Sequence, residues 1–263
     1  TIASMADDLE NEWWLQGEVK TGDSEDEKSE TDQTLLQDTD IGMEKKKKKR
    51  KKKHTITQEL KQKGDAPATP SDVKAAMERF FEGKLSPVEL DELQLNEDDH
   101  FYSQNNSSQG FAVAYLKSIL PKWKKIKRDA STSPGSPVLL VLTSSALRAV
   151  QLNRQIEVFK GEDCKCAKLF AKHMKLEEQQ KFLKKAVCLV GIGTPNRVLA
   201  LIKSGHLKLE KLKALVLDWN WRDIKQRRLV DVPEVRSDLF LLLQTKLIPH
   251  IKSSVSCCKI GIL

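Results

Sequence analysis

From position 138 onward, apolar runs of strand length alternate with stretches of helical amphipathicity. "VLLVLT" (138–143), "CKCAKLFA" (164–171), "VCLVGIG" (187–193), "LKALVLD" (212–218) and "CCKIGIL" (257–263) read as strands. Between them, a stretch through Leu147, Val150 and Leu152, then "KLEEQQKFLKKA" (175–186), "NRVLALIKSG" (196–205) and "PEVRSDLFLLLQTK" (233–246) read as helices. Strands apolar on both faces that alternate with helices predict a mostly parallel sheet covered on both sides. Ahead of them, Val73, Met77, Phe80 and Phe81 fall on one face of a helix over 73–82, which Ser71 and Asp72 are placed to cap. A short amphipathic piece covers 85–95. Phe111, Tyr115, Leu116, Ile119 and Leu120 predict one helix over 111–123 with a basic end.

Before about residue 70 the aliphatic positions thin out. Residues 5–42 are acidic and rich in Ser and Thr, with "SEDEKSETD" at 24–32, a composition expected to stay disordered. Ser24 and Ser29, each followed by acidic residues, suit an acidophilic kinase. Trp13 and Trp14 in "DDLENEWW" have no local core to enter and read as a short partner-binding anchor, the alternative being an exposed remnant. The run "KKKKKRKKK" comprises Lys45, Lys46, Lys47, Lys48, Lys49, Arg50, Lys51, Lys52 and Lys53. Such a block repels itself unless an import-receptor groove or a polyphosphate chain neutralises it, so nuclear targeting and RNA contact are both expected of it. "APATP" at 66–70 reads as linker. The organisation expected is a tail over 1–69 and one α/β domain over 70–263 that begins with a helical extension.

Length fits that division, since 263 residues suit one domain of about 100–200 residues with a tail. The formal net charge of +8 comes from 45 basic and 37 acidic residues, so placement matters more than sum. No apolar run is long enough for a membrane helix and the first residues show no charged-then-apolar secretory pattern, which predicts a soluble, intracellular protein. Met5 reads as the natural start, with four residues ahead of it. The five cysteines (Cys164, Cys166, Cys188, Cys257, Cys258) are odd in number and include no C-x-x-C, against a disulfide framework or a zinc knuckle. The five histidines, His173 among them, have no nucleophile or metal-ligand partner at useful spacing.

Two segments carry candidate chemistry. "VGIGTPNRVLALIKSG" ends a strand in Gly191-x-Gly193 and opens a helix with Thr194-Pro195-Asn196-Arg197. Thr194 is placed to cap that helix or to meet a phosphate oxygen, and Thr194 and Arg197 are the candidate RNA contacts. A dinucleotide site would need a third glycine where Asn196 stands. "LVLDWNWRD" ends a strand on Asp218 and continues through Trp219, Trp221 and Arg222. Alternate residues of an extended segment share a side, so the two indoles with Arg222 predict one patch. Its readings are a partner-binding surface, a plug in an emptied site, or a stacking platform for bases, with plug favoured for Trp219 and partner surface for Trp221.

The order strand, "TPNR", helix, "LKALVLD", with "VLLVLTSSALRAVQL" upstream, resembles the first RecA-like lobe of DEAD-box RNA helicases. That resemblance implies a single RecA-like domain, and the departures imply that it does not hydrolyse ATP. Residues 121–137, "PKWKKIKRDASTSPGSP", hold no Gly-Lys-Ser/Thr to wrap phosphates. At the D-E-A-D position only Asp218 remains, with Trp219 and Trp221 in place of acids, and an indole N–H cannot accept a proton from water. The chain as a whole is more similar still to the Cms-one family of small-subunit processome proteins, through "DDLENEWW", the lysine block, "LFAKHMK", "GTPNR", "LVLDWNWRD" and "DVPEVR". Asn196 departs from that family's usual T-P-G-R. The resemblance implies a non-catalytic nucleolar factor in ribosome biogenesis, with pre-ribosomal RNA, processome proteins and a nuclear import receptor as partners. It implies no cofactor, metal, membrane or small-molecule substrate. A residual ATPase or helicase, and a Rossmann-type methyltransferase using "VGIG", are the rival expectations.

Overall fold

A computed structural model describes residues 67–103, 112–129, 133–161, 163–253 and 255–263. These residues lie within one compact unit. Trp13, Trp14, Ser24, Ser29 and the basic run at 45–53 lie outside the described residues.

Each predicted strand is present: β1 (Leu139–Leu142), β2 (Cys166–Leu169), β3 (Val190–Gly193), β4 (Ala214–Leu217) and β5 (Lys259–Ile262). They form one sheet in the order β2-β3-β1-β4-β5, and every neighbouring pair is parallel. Because side chains alternate across a strand, the apolar runs feed two separate cores. Leu140, Leu142, Leu169, Leu215 and Leu217 enter one cluster, while Leu139, Val141, Val190, Ile192 and Val216 enter another on the opposite face. The parallel α/β architecture with both faces covered is thus the one the sequence predicts.

Helices α1 (Pro70–Phe81), α2 (Pro87–Glu92) and α3 (Glu97–His100) precede the sheet, followed by α4 (Ala112–Ile119) and α5 (Trp123–Asp129). The cap of α1 is Thr69, not Ser71 or Asp72: Thr69 and Asp72 close a reciprocal capping box, and Pro70 opens the first turn without needing a donor. The single helix predicted over 111–123 is two helices. Pro121 disfavours helical geometry at Leu120, so α4 stops at Ile119 and α5 restarts at Trp123. Between strands run α6 (Ala146–Gln155), α7 (Glu157–Lys160), α8 (Leu176–Lys185) and α9 (Pro195–Lys203). After β4 come α10 (Pro233–Leu242), a π-helical stretch (Leu243–Leu247) and α11 (Ile248–Ile251).

One face of the sheet is covered by α1, α9 and α10, where Phe80 and Phe240 meet with ring centroids 5.0 Å apart. The other is covered by α4, α6 and α7. The β5 edge is closed by Tyr102, whose N–H donates to the Ile260 carbonyl at 2.9 Å, and by the Tyr115 hydroxyl, which accepts from the Ile262 N–H at 2.7 Å. Satisfying the edge groups in this way keeps β5 from templating another strand.

Candidate functional site

β1 is central and the chain crosses it between β3 and β4, so the C-terminal ends of these three strands meet where α/β sheets place their ligands. Backbone bonds tie the ends together: the Thr143 N–H donates to the Gly193 carbonyl at 2.8 Å, and the Asp218 N–H to the Leu142 carbonyl at 3.0 Å. Thr143, Thr194 and Asp218 therefore follow the three strands at one level.

Asp218 is the acidic residue that helicase-like chemistry would require, and it is 1% exposed. Arg148, on α6, donates to both its oxygens, Nε to Oδ2 at 2.7 Å and Nη2 to Oδ1 at 2.8 Å. Burial pushes the Asp218 carboxyl above its ordinary value, against the opposing pull of the guanidinium's hydrogen bonds and charge. Trp221 lies over the same guanidinium, 5.0 Å from charge centre to ring centroid. Both carboxylate oxygens thus face inward to one cation. Among the described residues no group of three or more His, Cys, Asp or Glu is placed to hold a metal ion.

The rest of "DWNWRD" is structural in the same sense. Trp219 is 2% exposed and belongs to the core on the α10 face, so the expectation of a shared indole patch facing a partner fails. The physical reason is that Trp219 follows directly on the buried end of β4, while Trp221 is held half-buried by Arg148. Asn220 accepts the Ala68 N–H on its Oδ1 at 2.8 Å and donates its own N–H to the Leu263 carbonyl at 2.9 Å, clamping residues far apart in sequence. Half-buried Arg222 donates to the Gln226 carbonyl at 3.3 Å. Asp223 organises the loop that follows, accepting from the N–H groups of Lys225 and Arg227, each at 2.8 Å, and from Arg227 Nε at 2.9 Å. At the tip of this braced loop Ile224 is 96% exposed. A cavity of about 810 Å³ opens beside Trp219, its lining including Arg79, Phe80, Arg222, Arg228 and Arg236.

The "GTPN" turn does less than its sequence suggests. A Cβ at Gly193 would run into the Leu169 carbonyl, and one at Gly191 would come within 2.9 Å of Leu169 Cδ1, so both glycines serve close packing of β3 against β2. Thr194 occupies the N-cap of α9, yet its side chain makes no capping hydrogen bond. The Arg197 guanidinium is tied within the fold, to the Met174 carbonyl at 3.1 Å and to Gln179 Oε1 at 3.0 Å. Asn196 donates to Asp238 Oδ2 on α10 at 3.2 Å.

The described residues of the segment 121–137 lie at the opposite end of the sheet. The Lys208 and Lys213 N–H groups donate to the carbonyls of Gly135 and Val138, each at 2.8 Å, which fixes this segment where β1 and β4 begin. It contains α5 and a turn, and no strand-loop-helix unit is found among its described residues. Arg148, Asn220 and Asp223 organise the strand-end loop through hydrogen bonds that the sequence reading does not include. The one local signal was Arg148 itself, a cation sharing the inward stripe of α6 with Leu152.

The chain resembles solved DEAD-box helicases only loosely. Mss116 bound to ssRNA and UDP-BeF is 19% identical with a TM-score of 0.40, over 80% of this chain and 40% of that one. Prp28 from Chaetomium thermophilum bound to ADP is 14% identical with a TM-score of 0.39, over 82% and 52%. Similarity to curated proteins is far closer. Protein CMSS1 of Xenopus laevis is 38% identical over 98% of this chain and 100% of its own, and Protein CMSS1 of Homo sapiens 36% over 95% and 97%. Protein CMS1 of Chaetomium thermophilum is 35% identical over 66% and 70%. The family described as CMS1, U3-containing 90S pre-ribosomal complex subunit, matches residues 20–257, and the chain belongs to that family.

Proposed function

We propose that the protein acts in small-subunit ribosome biogenesis as a non-catalytic assembly factor, whose helicase-like domain serves as a binding scaffold for pre-ribosomal RNA and processome proteins. The observation that carries this reading is the Arg148–Asp218 pair. A phosphoryl-transfer site needs its acidic residue turned toward a metal and a phosphate chain; here both carboxylate oxygens accept from one buried guanidinium. The absence of Gly-Lys-Ser/Thr from residues 121–137 supports the same conclusion. Trp221, Arg222 and the exposed Ile224 then supply a partner surface at the strand ends. The basic run at 45–53 serves nucleolar import and RNA contact, and Trp13 with Trp14 a further anchor. Thr194 and Arg197 act first as parts of the fold, any RNA contact being secondary.

Magnesium-ATP should leave the melting temperature of the purified protein unchanged, whereas a ligand at a hundred times its dissociation constant stabilises by about 2.7 kcal/mol. A clear upward shift with ATP would restore the ATPase reading, and one with S-adenosylmethionine the methyltransferase reading. Recovery of small-subunit precursors with the tagged protein in cells tests the assembly role directly.

A further inference from the structure

We infer that a second ligand site lies at the N-terminal end of the sheet, away from Trp219 and Trp221: a pocket for a phosphate group of the kind an RNA backbone carries. A cavity of about 460 Å³ opens there, within the about 300–1,000 Å³ typical of ligand sites. Lys122 and Lys125 reach it from α5 and the turn before it, and Lys211 and Lys213 from the segment that leads into β4. Val138 and Leu189, just ahead of β1 and β3, contribute an apolar floor.

Two observations point to an anion. The four lysines form no ion pair among the described residues, and Glu210 is the single carboxylate on the lining. Cations gathered in one concavity raise each other's energy and focus a positive potential into it, which a bound anion relieves. Ser136 supplies the second, independent sign. It is 4% exposed, lines the same cavity, and its hydroxyl has no hydrogen-bond partner among the described residues. The hydroxyl oxygen is shielded from solvent in this state, so a phosphate oxygen would reach it through a small shift of the turn that carries it, giving the buried donor its partner. Several lysines around one hydroxyl donor suit phosphate, which lysine binds as a point charge.

The RNA source rests on the proposed function, whereas the pocket itself does not. Cys257, the one exposed cysteine, lines this cavity and gives a local readout in the intact protein. Its labelling by a fluorescent maleimide should slow about threefold or more when inorganic pyrophosphate or a short oligouridine RNA fills the pocket, because thiol reactivity follows access and nearby positive charge. Lys211→Gln with Lys213→Gln, both at exposed positions, should abolish that protection while melting stays unchanged; Glu210→Gln should strengthen it.

Protection by both probes, lost in the lysine variant, establishes the pocket with RNA as a source. Protection by pyrophosphate alone keeps the pocket and assigns it to a free phosphate-bearing ligand. No protection by either probe, protection that survives the lysine substitutions, or protection by an acidic peptide alone overturns it. If the protein binds RNA while Cys257 labelling is unaffected, the pocket fails and the RNA-binding reading stands; pyrophosphate protection without any RNA binding fails that reading and leaves the pocket.

Discussion

Arg148 and Asp218, 70 positions apart in the chain, form a buried two-point ion pair that joins α6 to the end of β4. Removing one partner leaves the other charged and buried, so Arg148→Ala should cost about 3–5 kcal/mol. Replacing both with apolar residues of similar volume, Arg148→Met with Asp218→Leu, should recover most of that loss, since a buried pair adds little over well-packed side chains. Chemical denaturation of the three proteins separates the two outcomes. A double variant as unstable as the single one would show that the pair positions the "DWNWRD" loop beyond its own charge balance.

The two tryptophans should respond differently. Trp219→Ala truncates a core aromatic and should cost about 3–5 kcal/mol. Trp221→Ala removes a half-buried ring over Arg148, a contact of about 0.5–2 kcal/mol, and should leave the fold intact while lowering recovery with small-subunit precursors. Equal destabilisation by both, or unchanged recovery with Trp221→Ala, would remove Trp221 from the proposed partner surface.

Why the strands were legible and the site was not follows from range. Leu139 to Leu142 are apolar at every position, and a run buried on both faces needs only local information to be recognised. Pro121 is an equally local signal, and it breaks the apolar spacing that runs from Phe111 to Trp123 into two helices. The short helices α3, α7 and α11 are each a single turn of four residues, too brief for a periodic signal. At the site, what decides is who meets whom: Asp218 with Arg148, Asn220 with Ala68, Arg197 with Gln179. Hydrogen-bond pairings over such separations leave no trace in periodicity. The departures from the helicase motifs mark Asp218 as the one acid left at its strand end, yet do not show that an arginine from the neighbouring helix holds it.

Loop order depends on Asp223, which accepts three hydrogen bonds from Lys225 and Arg227. Asp223→Ala should loosen the segment that carries Ile224 without reaching the core, so amide exchange across 224–228 should quicken while global unfolding changes by no more than about 1–2 kcal/mol. If the tip is a docking element, the same substitution should weaken precursor recovery to the extent that Ile224→Ser does. Recovery that falls with Asp223→Ala and stays full with Ile224→Ser would assign the effect to loop geometry instead of the apolar tip.

Acid should act on the turn before β5. His250 is half-buried and burial holds its imidazole below the ordinary value of 6.5. Its Nε2 lies 3.3 Å from the Ser256 hydroxyl, which itself accepts the Cys258 N–H at 3.1 Å, and a protonated ring can only donate to that hydroxyl. A depressed folded-state value means that the unfolded chain binds the proton more tightly. The stabilisation is therefore present above the unfolded value and is lost as pH falls through the lower folded value. Between about pH 7.5 and 5.5 the natural protein should lose more melting temperature than His250→Gln, a neutral side chain that does not titrate there. Equal slopes for the two proteins would mean that His250 titrates alike in the folded and unfolded chain, and that its contact with Ser256 does not set the acid response.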